Sequence, residues 1–160
     1  MNRSSDRPVW VPPRRIDWLM PGAHAEAHAA LIQKLELAPH PEGGHFRETV
    51  RLPAGPDGRS RMTAILFLLG AGERSHWHRV DADELWLWHA GSPLTLRIGT
   101  ELVRLGSGLD HGEQVQAIVP AGIWQSAEAD NGWVLVSCVV TPGFMFEGFD
   151  LAPRGWRPET

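Results

Sequence analysis

From Ala23 to Leu37 apolar positions recur at three- and four-residue intervals, with Leu31, Ile32 and Leu35 set among alanines. That spacing describes one amphipathic helix, ended by Pro39. Beyond the proline the period falls to two. Strands are predicted over His45–Arg51, Thr63–Leu69, Ser75–His78, Glu84–His89, Leu94–Ile98, Leu102–Leu105, Gln114–Val119, Trp133–Val140 and Phe144–Phe149, with Gly, Pro or Asp at nearly every break. Short strands in such number behind a single helix imply an all-β protein, an antiparallel sandwich or jelly-roll barrel. Residues 1–22, with Pro8, Pro12, Pro13, Pro21, Trp10 and Trp18, read as an extended N-terminal arm laid on its own domain or on a neighbouring subunit. The segment Leu52–Ser60, with Pro53, Gly55, Pro56 and Gly58, reads as a mobile loop.

A length of 160 residues fits one domain, placed at residues 23–153 with a short tail at 154–160. The longest apolar run, Ala64–Leu69, falls far below the roughly 18 residues that span a bilayer, and the N-terminus lacks a signal-peptide apolar region, so a cytoplasmic protein without a membrane partner is expected. A single cysteine, Cys138, excludes an internal disulfide and any zinc site of several thiolates. Set among apolar neighbours, it reads as a buried inert thiol. A net charge of −4 offers no basic field for nucleic acid. There is no tyrosine to act as a phenolic acid, and the one lysine, Lys34, lies on the helix, which argues against Schiff-base catalysis. Eight histidines and eight tryptophans remain as the chemical stock. His24 and His28, four apart on the helix, read either as solvent-side residues or as a metal-holding pair.

The stretch Gly70–Gly91, GAGERSHWHRVDADELWLWHAG, concentrates the chemistry. Residues two apart on a strand share a face, so His76 and His78 are expected to project together, with Glu84 reaching them from the next strand. Two imidazoles and a carboxylate would then form a facial set suited to Fe(II) and tolerant of Mn, Ni, Co or Zn. Trp86 and Trp88 share the parity of Glu84 and are expected to wall the same cavity for a ring-shaped ligand, or else to pack in the core. Arg47 shares parity with His45 and Thr49; turned inward it would take a carboxylate or phosphate through its planar fork, and otherwise it lies on the outer face.

This stretch resembles the first motif of the cupin superfamily, written G, five residues, HXH, three or four residues, E, six residues, G; here the gap from His78 to Glu84 is five residues. The second cupin motif, PXGXXH, corresponds to Pro120–Gln125, with Gln125 where the fourth ligand histidine stands. Further along, HPEGG at His40–Gly44, SHWHR at Ser75–Arg79, DELW at Asp83–Trp86, PAGIWQ at Pro120–Gln125 and CVVTPGFMFEGF at Cys138–Phe149 resemble one cupin subfamily of unknown function over about Leu31–Leu151. The resemblance implies a double-stranded β-helix, a homodimer, and a site set by His78, Glu84 and Gln125, with His76 as an addition of this chain. A divalent metal held by His76, His78, Glu84 and Gln125 would be bound less tightly than in a full cupin site, because an amide oxygen is a weaker partner than imidazole.

Two readings of function follow. In one, the barrel centre binds a small polar metabolite over the metal and works as an oxygenase- or isomerase-type enzyme, the metal polarising a carbonyl or activating O₂ while His78 or Glu84 handles protons. In the other, His78, Glu84 and Gln125 satisfy one another as a hydrogen-bonded cluster, and the protein is a metal-free or non-enzymatic binder. The mechanism of the cupin sugar-nucleotide epimerases, which needs a tyrosine acid, is excluded.

Overall fold

The computed structural model describes residues 21–158, with side chains from Ala25 onward; the proposed arm, including Trp10 and Trp18, and the side chain of His24 lie outside the described residues. Helix α1 spans Pro21–Lys34. Strands follow as β1 (Ala38–Pro39), β2 (His45–Arg51), β3 (Thr63–Leu69), β4 (Arg74–Val80), β5 (Asp83–Gly91), β6 (Leu94–Ile98), β7 (Glu101–Leu105), β8 (Gln116–Val119), β9 (Gln125–Ala129), β10 (Val134–Thr141) and β11 (Phe149–Leu151). They form two antiparallel sheets, in the orders β1-β2-β3-β10-β5-β8 and β11-β4-β9-β6-β7. The jelly-roll expectation holds.

Alternating burial along β10 shows why the sheets close on each other: Val134, Val136, Cys138 and Val140 point inward while the residues between them are half-buried. The first three meet Phe67, Leu69 and Trp86 of the same sheet and Leu94, Leu96 and Leu105 of the other in one continuous core, while Val140 packs with Val80 and Ala82. Helix α1 covers the opposite face of the six-stranded sheet, where Ala27, Leu31 and Ile32 pack with Leu37, Leu68 and Trp133. The helix ends three residues sooner than expected. Glu36 takes a left-handed φ of 54° and the Leu37 N–H bonds back to the Ile32 carbonyl at 2.9 Å, which turns Leu37 into the core.

Several segments depart from their expected form. The segment Leu52–Ser60 is tied down: Ser60 Oγ donates to the carbonyls of Leu52 and Met62, and the Arg59 guanidinium makes a two-pronged bond to Asp81. The span Phe144–Phe149 is not a strand but a loop with a 3₁₀ turn at Phe146–Gly148, leading into β11. Strand β9 and the short β1 went unpredicted. Within the expected tail, Trp156 lies against Trp124 at 4.5 Å between ring centroids and against Trp77 at 6.4 Å.

Phe67, 1% exposed at the centre of the core, makes an edge-to-face contact with Trp86 at 6.0 Å. Phe67→Ala should therefore lower unfolding free energy by about 3–5 kcal/mol in urea denaturation, whereas Leu102→Ala, on an exposed position of β7, should change it by under about 0.5 kcal/mol.

Candidate functional site

The site begins with a turn. In His40–Gly44 the Gly43 N–H bonds to the His40 carbonyl and the His40 N–H to the Gly44 carbonyl, both at 3.0 Å, closing a tight loop between β1 and β2. Gly43 sits at φ 109°, and a β-carbon there would run into the Arg74 carbonyl. Only glycine allows that approach. The loop pushes Glu42 inward, where its own carbonyl accepts the His76 N–H at 2.7 Å and fixes it against β4.

Strand β4 carries a β-bulge: Ser75 pairs with Ala127 and His78 with Gln125, so three steps on β4 face two on β9. The extra residue cancels the alternation between Ser75 and His78. Both now point inward, Ser75 Oγ lying 3.4 Å from His78 Nδ1. His76, expected to share His78's direction, is instead turned to the opposite side, with its Nε2 3.1 Å from the Pro153 carbonyl.

Around His78 the structure assembles a buried floor. His78 Nδ1 lies 2.8 Å from the His76 carbonyl, which assigns the proton of the neutral ring to Nδ1 and leaves Nε2 as an acceptor. Nε2 faces Glu42 Oε2 at 3.3 Å, and His40 Nδ1 approaches the same oxygen at 3.5 Å. Ser75 Oγ donates to Glu42 Oε1 at 2.9 Å. Burial pushes the Glu42 carboxyl up to about 8, with the Ser75 bond opposing. Burial likewise raises Glu84, and the nearby Glu42 adds to the rise while His78 opposes it. The imidazoles move the other way: His40 falls to about 4 by burial, and His78 is lowered by burial against the attraction of Glu84.

Glu84 is held from the side. Gln125 Nε2 donates to its Oε2 at 2.5 Å, while Gln125 Oε1 accepts the Trp86 indole N–H at 2.9 Å. Burial raises the Cys138 thiol well above the ordinary thiol range, and the nearby Glu84 adds to the rise, as expected of an inert thiol. Of the four residues expected as metal ligands, then, His78 and Glu84 share the floor, Gln125 has both ends of its amide engaged, and His76 is turned away. That quartet does not fit a divalent ion, which needs free lone pairs converging on one point.

Trp86 is part of the core and orients Gln125 instead of walling the cavity. Trp88 packs on the core further along β5, its indole N–H bonding to the Ser92 carbonyl at 3.1 Å. Arg47 lies on the outer surface, 2.9 Å from Glu36. Above the floor opens a cavity of about 300 Å³ whose walls are Phe46, Ile65, Phe144 and Phe149, with the Arg51–Glu48 pair at 2.7 Å near its rim. His40, Glu42, Arg51 and the phenylalanine loop were not named as site residues from the sequence. The signal was present in HPEGG, whose glycine pair bends the chain so that the glutamate between proline and glycine is buried.

Two antiparallel sheets closed around a polar floor with an apolar mouth define a cupin-type barrel. The chain belongs to the cupin superfamily family DUF985, whose model matches residues 29–152. A hypothetical protein from Leishmania major is 32% identical with a TM-score of 0.71, the match covering 78% of this chain and 86% of that one. A protein from Shewanella oneidensis is 39% identical with a TM-score of 0.73, covering 77% and 82%. A cupin 2 conserved barrel domain protein from Rhodopseudomonas palustris, 13% identical with a TM-score of 0.53 over 71% and 69%, shares the fold alone. No curated protein matches the chain. Among the described residues no helix is long and apolar enough to cross a membrane.

The raised Glu42 gives a pH dependence. Between the ordinary carboxylate value and about 8 the native state holds a proton that the unfolded chain has released, so Glu42 stabilises the fold at low pH and that contribution is lost as pH rises toward 8. His40 and His78, lowered in the fold, act oppositely but only below 6.5, their unfolded value. Melting temperature should therefore fall from pH 6.5 to 8, by up to ~1.4 kcal/mol of stability per pH unit, and Glu42→Gln should flatten that slope.

Proposed function

We propose that the barrel mouth binds a small metabolite with an apolar body and a neutral hydroxyl or carbonyl end, and that Glu42 and His78 move protons on it without a metal, as in an isomerase. The observation that carries this reading is Glu42 Oε2 facing His78 Nε2 at 3.3 Å on the cavity floor. A carboxyl kept protonated near neutral pH is a general acid, and a neutral imidazole whose Nε2 carries no proton is a general base. On an α-hydroxy carbonyl compound, Glu42 gives its proton to the carbonyl oxygen while His78 takes one from the adjacent carbon. The other carbon of the enediol then takes a proton from the His78 imidazolium, while the hydroxyl on the first carbon gives its proton to the Glu42 carboxylate and becomes the new carbonyl, which restores both groups. Glu84 favours the imidazolium formed midway through its charge. Ring or branched substrates suit the walls of Phe46, Phe144 and Phe149.

A homodimer is part of this proposal. The sheets have open edges, at β1 and β8 in one and at β7 and β11 in the other, and paired copies would cover some of them. The metal-dependent oxygenase reading gains no support from the arrangement of His76 and Gln125.

The reading is tested with chelator-treated protein in D₂O and a panel of small hydroxy-ketones and aldoses, followed by proton NMR. At least one compound should lose its α-proton signal to solvent deuterium, and both Glu42→Gln and His78→Ala should slow that exchange by about a hundredfold or more. Exchange that persists in both variants, or that requires added metal, contradicts the proposal.

A further inference from the structure

We propose that His28, His45 and Glu73 bind one divalent late transition-metal ion, zinc being the best match, where α1 meets β2 and the turn between β3 and β4. Three elements remote in sequence converge there: His28 on α1, His45 as the first residue of β2, and Glu73 in the turn between β3 and β4. Their ligand atoms all lie within 4.8 Å of one another, and His28 Nε2 stands 3.7 Å from Glu73 Oε2. Ligand atoms around a tetrahedral zinc, with bonds of about 2.0–2.2 Å, are ~3.4 Å apart, so small side-chain rotations bring the three into place.

A second observation points to a ligand independently of that spacing. His28 Nε2 and His45 Nδ1 are both buried and neither makes a hydrogen bond. Buried polar atoms normally find a partner, and leaving one without costs about 1–3 kcal/mol. Two such nitrogens occur side by side, on rings packed edge to face at 5.7 Å. An ion pair with Glu73 could serve only the first of them. A metal ion serves both, together with the carboxylate, whose Oε2 is already oriented by the Gly70 N–H at 2.7 Å. Burial also holds His28 toward its neutral form, the form that ligates. Two imidazoles and one carboxylate, with no thiolate, suit Zn, Ni or Co, and a water completes the shell. Bound there, the ion would clip α1 to β2 and to the β3–β4 turn, adding a link to a helix otherwise held by apolar packing.

The full chain, stripped with chelator, is titrated with Zn²⁺ alone by calorimetry and with Co²⁺ by visible absorption. One equivalent of Zn²⁺ should bind with a rise in melting temperature, and Co²⁺ should give the bands of a four-coordinate site. His28→Gln, His45→Gln and Glu73→Gln should each weaken binding at least tenfold, while Glu84→Gln, at the barrel floor, leaves it unchanged. Melting curves in chelator verify folding of each variant, and His45→Phe, which keeps a ring in place, is the second variant should His45→Gln fail to fold. Absence of saturable binding overturns the proposal. So does binding that survives all three substitutions, or that is lost in Glu84→Gln alone.

Discussion

Everything at the barrel floor depends on a carboxyl buried between two imidazoles. Glu42 lies between two imidazoles and beneath a phenylalanine-lined mouth, and charging it there would forgo the hydration that water supplies. Glu42 and the two imidazoles therefore settle into neutral forms, and hydrogen bonds join the floor: Ser75 donates to Glu42, His78 to the His76 carbonyl, and Gln125 to Glu84. Such a cluster is costly to disrupt but ready to exchange protons with a ligand that brings its own donors and acceptors.

Two local backbone devices create that arrangement. The glycine pair of HPEGG allows a turn tight enough to drive Glu42 inward, and the bulge in β4 rotates His78 onto the same side as Ser75. The bulge has an outward consequence as well. Trp77 is freed to meet Trp156 and His76 to meet the Pro153 carbonyl, so the segment after β11 is fastened to the outside of the same strand whose inside forms the floor. One extra residue thus couples the polar centre to the packing of the C-terminal segment.

Much of the barrel was legible in the chain. The bounds of β2, β3 and β6 coincide with those predicted, because each is an apolar or alternating run with clear breaks. Strand β9 was not legible: its residues, QSAEA, are small or polar although four of the five are buried, so no hydrophobic signal marks it. Phe144–Phe149 misled in the opposite way, since its aromatic content serves a cavity wall and not a strand face. At the site, His78, Glu84 and Gln125 lie together on the floor, but His76, expected beside His78 by strict alternation, is turned away by a bulge that no residue type announces. Glu42 and His40 were hidden in a turn signature, where burial depends on the loop's path and not on local periodicity. The meeting of His28, His45 and Glu73 arises from the docking of α1, a nonlocal fact.

The central claim is that Glu42 stays protonated at neutral pH in a metal-free floor. It is tested most directly by carbon NMR of the chelator-treated protein labelled at the glutamate side-chain carboxyls, with the Glu42 resonance identified by its loss in Glu42→Gln. A titration midpoint near 8 is the result predicted here. A midpoint at the ordinary carboxylate value of 4.5 would mean an ionised Glu42 at neutral pH, and would contradict the account.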